Sequence, residues 1–251
     1  MIQERMQKKL SAGKPAFGLN LRFHDPAVIA IIGSDLDFVR IDMQHGAIAP
    51  NRLSDMIRAC DSLGVTSLCR LPNEPEQISL ALNADPGGVI VAQIESAKEA
   101  EQVVKAAKSS PIDRPYGGGD HHTRDLIEKA NKERILILQM ESRKAVSNCE
   151  AIAAIKGVDG LMLVPDELKL RIDEQLSDSL AKGKLLKIAE RVAWASRDQG
   201  KLAMYDVGSS LATMKQAAEL GFNLISVGSD ALCLKKGAEA ALAAVREFGR
   251  D

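Results

Sequence analysis

The sequence predicts a closed (β/α)8 barrel of the TIM type, a single domain over residues 1–251 with a helix ahead of the first strand. Three observations predict it. Short, almost wholly apolar runs such as Arg134 to Met140 recur along the chain, as expected of parallel strands buried on both faces. Each run is followed by a segment of helical periodicity, and this alternation implies a parallel sheet. Eight such units fit in 251 residues, a common length for one closed barrel. An open doubly wound sheet would want a glycine-rich first turn, and Asn20 to His24 has no glycine.

Ile2, Met6 and Leu10 fall at helical spacing and predict an amphipathic helix before the barrel, in place of a secretory leader. The first strand is Phe17 to Leu21, and Asp25-Pro26 opens a helix running to Ile32. Asp37 to Asp42 is the second strand, with a helix over Leu53 to Leu63 closed by Gly64. Val65 to Arg70 and Gly88 to Ala92 are the third and fourth strands; helices follow at Pro75 to Asn83 and at Ser96 to Lys108, the second with a Ser96–Glu99 capping box. Ser109 to Thr123 is a proline- and glycine-rich break, after which Leu126 to Lys132 is helical. The fifth strand leads to one helix over Arg143 to Ile155. Gly160 to Val164, Lys201 to Tyr205 and Phe222 to Val227 complete the strands, with helices at Ser177 to Gln199, Ser209 to Leu220 and Leu232 to Phe248.

Lys and Arg number 33 and Asp and Glu 34, so no charge excess speaks for nucleic acid or a membrane surface. No apolar stretch reaches the roughly 18 residues of a membrane span. Cys60, Cys69, Cys149 and Cys233 contain no C-x-x-C pair and read as reduced, mostly buried thiols of a cytoplasmic protein.

Barrel active sites form at the carboxyl ends of the strands. There the sequence sets Asp42 and His45, Arg70, Gln139 and Glu141, Asp166 and Glu167, and Asp206. Glu141 and Glu167, on neighbouring strands, are the best pair for one hard divalent cation, Mg²⁺ or Mn²⁺. The plainer reading makes them solvated loop acids, or one of them the partner of an arginine. Asp42 and His45 could form a carboxylate–imidazole dyad for general-base work. Arg70 would stabilise an oxyanion or enolate, unless it serves a salt bridge to an acid of the rim. His121 and His122 could bind metal, though a solvated loop is the plainer reading.

Phe38 to Gly46, Leu68 to Pro72, Lys129 to Asn131 with Leu138 to Ser142, Gly157 to Leu168, and Val227 to Asp230 together resemble the ordered motifs of the HpcH/HpaI aldolases, the metal-dependent pyruvate aldolases. The resemblance implies a carbon–carbon lyase in which Glu141 and Glu167 hold the metal and pyruvate chelates it. It implies that Gln139 lies beside the ligand, that Arg70 stabilises the enolate oxygen, and that His45, oriented by Asp42, moves the proton. It also implies an aldehyde as the second substrate and a homo-oligomer, a hexamer built from dimers that exchange the last helix. The chain departs from the family pattern at Gln44, at Asp113 to Gly117, and at Val164, Asp166 and Glu167, with Asp166 falling against the substrate carboxylate. Acyl-CoA lyase chemistry, or a non-catalytic aldolase-like barrel, are the rival readings.

Overall fold

The computed structural model describes residues 2–45, 48–108, 121–165, 168, 178–207 and 210–249. Eight parallel strands close into a barrel in chain order: β1 (Ala16–Leu21), β2 (Phe38–Asp42), β3 (Thr66–Leu71), β4 (Gly88–Val91), β5 (Ile135–Met140), β6 (Gly160–Leu163), β7 (Leu202–Asp206) and β8 (Leu224–Ser229). The helices are α1 (Glu4–Ser11), α2 (Pro26–Ile32), α3 (Pro50–Ser62), α4 (Pro75–Asn83), α5 (Ala97–Ala107), α6 (His121–Glu133), α7 (Arg143–Ser147), α8 (Cys149–Ala153), α9 (Asp178–Asp198), α10 (Leu211–Glu219) and α11 (Asp230–Phe248).

Every residue of β2 to β6 is buried, which is why those runs read as continuously apolar. Alternate side chains face opposite ways. Val39, Ile41, Cys69, Leu71, Val89 and Val91 belong to the larger cluster that includes helix residues such as Leu53 and Met56. Phe38, Leu68, Ile90, Ile137, Met162 and Met204 form a second cluster, which fills the bore. Gly18 makes room there. A Cβ at that position would lie 2.3 Å from the Phe38 ring, so only glycine lets β1 pair with β2 across this aromatic side chain.

Helix α1 closes the amino end of the bore. Met6 is fully buried among Ala16, Phe38 and Leu68. Lys9 Nζ donates to Asp37 Oδ2 at 2.7 Å, and Arg5 donates to the Leu36 and Leu63 carbonyls. Gly64, at φ +64°, ends the α3 segment as the sequence predicts.

Four local expectations are corrected. The helix expected over Arg143 to Ile155 is two short helices broken at Asn148, whose Nδ2 donates to the Glu95 carbonyl at 2.7 Å. In the capping box, Ser96 Oγ accepts from the Glu99 amide, but Glu99 Oε2 accepts from the amide of Glu95 in place of Ser96. His121 and His122 begin α6 instead of ending the preceding break; residues 109–120 of that break lie outside the described residues. Strand β8 starts two residues later than expected and runs on to Ser229. Among the described residues, no helix is long and apolar enough to cross a membrane.

Candidate active site

The carboxyl end of the bore is lined by polar side chains that point inward because they alternate with the outward apolar positions. Asp42 and Arg70 are register partners on β2 and β3 and are each 2% exposed. Arg70 Nε donates to Asp42 Oδ1 at 3.1 Å, and Nη2 donates to Oδ2 at 2.5 Å. Burial opposes ionisation of Asp42, but the hydrogen bonds and charge of Arg70, with the His45 amide and Arg40, outweigh it and hold the carboxyl below its ordinary range. Asp42 Oδ1 also accepts from the main-chain amides of Gln44 and His45, at 3.1 and 3.2 Å. This is an Asx turn, and it folds the chain after β2 so that His45 stands exposed at the rim. The expected dyad thus takes another form: Asp42 grips Arg70 and the backbone of His45. His24, which sequence reading passed over, places Nε2 3.0 Å from the Asp42 carbonyl.

On β5, Gln139 and the exit residue Glu141 lie two apart and so share the inward side. Gln139 is fully buried, Glu141 is 1% exposed, and Gln139 Nε2 donates to Glu141 Oε2 at 2.5 Å. A buried carboxylate at a barrel mouth is a hard oxygen donor of the kind Mg²⁺ and Mn²⁺ take. Asp166 and Glu167, the other expected substrate and metal residues, lie outside the described residues. Among the described residues, no group of three or more His, Cys, Asp or Glu side chains could hold a metal ion. Among the expected metal residues, the described structure thus contains Glu141, a donor whose chemistry suits such a cation.

Arg40 is the largest omission of the sequence reading. It is 2% exposed and crosses the bore. Its Nε donates to Asn20 Oδ1 of β1 at 3.2 Å, its Nη2 to Asp206 Oδ2 of β7 at 2.7 Å, and its Nη1 lies 3.7 Å from Met162 Sδ of β6. Burial lowers its pKa, and Asp206 offsets that. The only sequence signal was a charged residue inside an apolar strand, two positions before Asp42. At the start of α11, Asp230 is 4% exposed and accepts from the amides of Arg22, Phe23 and Ala231, fixing the loop after β1.

A closed parallel barrel with acids, arginines and an amide at its carboxyl mouth has the arrangement of a (β/α)8-barrel active site. The chain belongs to the HpcH/HpaI aldolase/citrate lyase family, whose model matches residues 17–236. It is 27% identical to the hydroxypyruvate/pyruvate aldolase of Roseovarius nubinhibens, over 93% of each chain. It is 24% identical to the 4-hydroxy-2-oxo-heptane-1,7-dioate aldolase of Escherichia coli, over 95% of this chain and 94% of the relative. Among solved structures, an HpcH/HpaI aldolase/citrate lyase family protein from Burkholderia cenocepacia matches with TM-score 0.81 and 25% identity, covering 96% of this chain and 98% of the other. Citrate synthase SbnG shares the fold over the whole of both chains, with TM-score 0.84 at 21% identity. The chain is a carbon–carbon lyase of this family.

Proposed function

We propose that this lyase is a metal-dependent aldolase, which joins pyruvate to an aldehyde or cleaves the resulting 4-hydroxy-2-oxo acid. The observation that carries the reading is the pairing of a buried Gln139–Glu141 couple with a buried Arg70–Asp42 ion pair at one barrel mouth. Glu141 and Glu167 would hold Mg²⁺ or Mn²⁺, which when bound supplies Lewis-acid polarisation of the 2-oxo acid. Gln139 orients the Glu141 carboxylate from the bore side. Arg70 carries five N–H donors, and the two that Asp42 takes lock its plane, so the guanidinium is pre-organised for a developing negative oxygen. His45 at the rim takes the C3 proton of pyruvate, and the Asp42 carboxylate holds its backbone in place. By its place in the family pattern, Asp166 would fall against the substrate carboxylate. The buried free thiols Cys60, Cys69 and Cys149 suit the cytoplasm.

The test is proton exchange at the pyruvate methyl group in D₂O with Mg²⁺ or Mn²⁺, followed by NMR. Exchange is expected without any aldehyde. Arg70→Ala should slow it by about 10²–10³, the usual effect of removing an oxyanion stabiliser. Calorimetric titration should show metal binding that Glu141→Gln abolishes. Absence of exchange in the wild type, or undiminished metal affinity in Glu141→Gln, would overturn the assignment.

A further inference from the structure

A cleft separate from the barrel mouth opens between α7 and α9, which pack side by side. Its volume is about 360 Å³, inside the ~300–1,000 Å³ range of small-molecule sites. Arg143, Val146 and Ser147 of α7 form one wall, and Lys184, Lys187 and Ile188 of α9 form the other. Lys187 and Ile188 lie three and four residues after Lys184, so α9 presents all three on one side. The two lysines stand about 4.5 Å apart along the helix axis. Val146 is buried and Ile188 half-buried, so they supply an apolar floor, while Arg143, Lys184 and Lys187 are exposed at its lip.

Charge decides what this cleft holds. Among the described residues, three cations line it and no acid does. The acids that reach α7 and α8 are engaged with other groups. Glu95 takes Lys144 at 3.2 Å and the Ser142 hydroxyl at 2.8 Å, and Glu150 takes Arg191 through hydrogen bonds of 2.7 and 2.9 Å. Glu190 is exposed and lies outside the lining. Among the described residues, no salt bridge takes Arg143, Lys184 or Lys187. Like charges gathered without a counter-ion repel one another, and an anion entering between them relieves that repulsion. An arginine fork and lysine point charges are the usual partners of phosphoryl oxygens. Two lysines one turn apart can each meet one of two linked phosphoryl groups, with Arg143 facing them from α7. The Val146–Ile188 floor then covers the body of the molecule.

We propose that this cleft binds an organic diphosphate, two linked phosphoryl groups on a ring-bearing body, at a site separate from the mouth. The site does not depend on the aldolase reading, because none of its six residues serves the mouth.

The experiment titrates ADP, adenosine, pyrophosphate and citrate into the protein by calorimetry, with EDTA present so that no divalent cation can carry a phosphate to Glu141. ADP should bind and adenosine should not. Pyrophosphate, which has no body to cover the floor, and citrate, which has no phosphoryl group, should both bind more weakly than ADP. Lys184→Gln with Lys187→Gln should weaken ADP binding about tenfold or more, the size of at least one charged hydrogen bond. Lys184→Arg with Lys187→Arg should keep most of the affinity. Both lysines are exposed, so the glutamine pair should unfold at the wild-type Tm without ADP. Saturating ADP should raise the Tm of wild type but not of the glutamine pair. Arg22→Gln, at the mouth beside Arg40, should leave ADP affinity unchanged. No ADP binding at millimolar concentration, pyrophosphate or citrate bound as tightly as ADP, or affinity lost in Arg22→Gln but kept in the glutamine pair would overturn the proposal.

Discussion

Asp42 is the residue on which the site's geometry turns, because one carboxylate serves Arg70 and two main-chain amides. Its folded-state carboxyl is held below the ordinary value of about 3.9. The unfolded chain therefore binds the proton more readily, and stability rises with pH in that range. The contribution is fully present above about pH 3.9 and is lost as pH falls through the lower folded-state pKa. Asp42→Asn leaves the buried Arg70 cation beside a neutral partner, a change that typically costs about 3–5 kcal/mol. Urea unfolding near pH 7 should show that loss, and the variant's acid limb should be shallower than that of the wild type. Equal stability at pH 7 would mean that the pair does not hold the mouth together. Arg70 and Asp42 were both legible as strand-exit residues, and a salt bridge from Arg70 to a rim acid was one open reading, but that Asp42 is the acid was not legible. The short spacing from Asp42 to His45 suggested a local dyad, whereas register put Arg70 directly across from Asp42.

At the scale of elements, β1 and β2 depend on a small residue meeting a large one. The Phe38 side chain fills the bore at the level where Gly18 has none. Gly18→Ala would force a methyl group into contact with the ring and with the Phe38 carbonyl, at 2.3 and 2.5 Å, too close to be absorbed by a rotamer change alone. Overpacking of this kind costs about 1–3 kcal/mol. Thermal unfolding should show a lowered Tm for Gly18→Ala, with only partial recovery when Phe38→Leu is added, because the Phe38 carbonyl stays in place; an unchanged Tm for the single variant would show that β1 shifts freely. The strands and most helices were legible from periodicity because burial on both faces leaves an uninterrupted apolar run. The break at Asn148 was not. The residues from Arg143 to Ile155 keep helical spacing, and only the position of the Glu95 carbonyl, on another element, gives the Asn148 side chain its reason to interrupt them.

For the whole molecule, α11 is the outlier. Leu234, Leu242, Val245 and Phe248 are between 51% and 88% exposed, along a helix whose first residues alone are tucked against the barrel. An apolar helix face left in water by one chain is the kind of surface that a second copy covers. We propose a homo-oligomer in which this helix packs on a neighbouring subunit, a hexamer built from dimers. Sedimentation at micromolar concentration should give a species larger than one chain, and Leu242→Glu with Val245→Glu should dissociate it. A monomeric wild type would refute the assembly.

By itself the sequence determined the number and order of the strands, the helix that precedes them, and which residues stand at the exits of β2, β3, β5 and β7. Those properties follow from local periodicity and from the rule that parallel strands deliver their carboxyl ends to one face. Only the tertiary structure decided which of those residues meet. Arg40 and Asp206 lie 166 positions apart and join across the bore. Their meeting depends on how the strands register around a closed ring, and register is set by packing between segments distant in the chain, which no local pattern records.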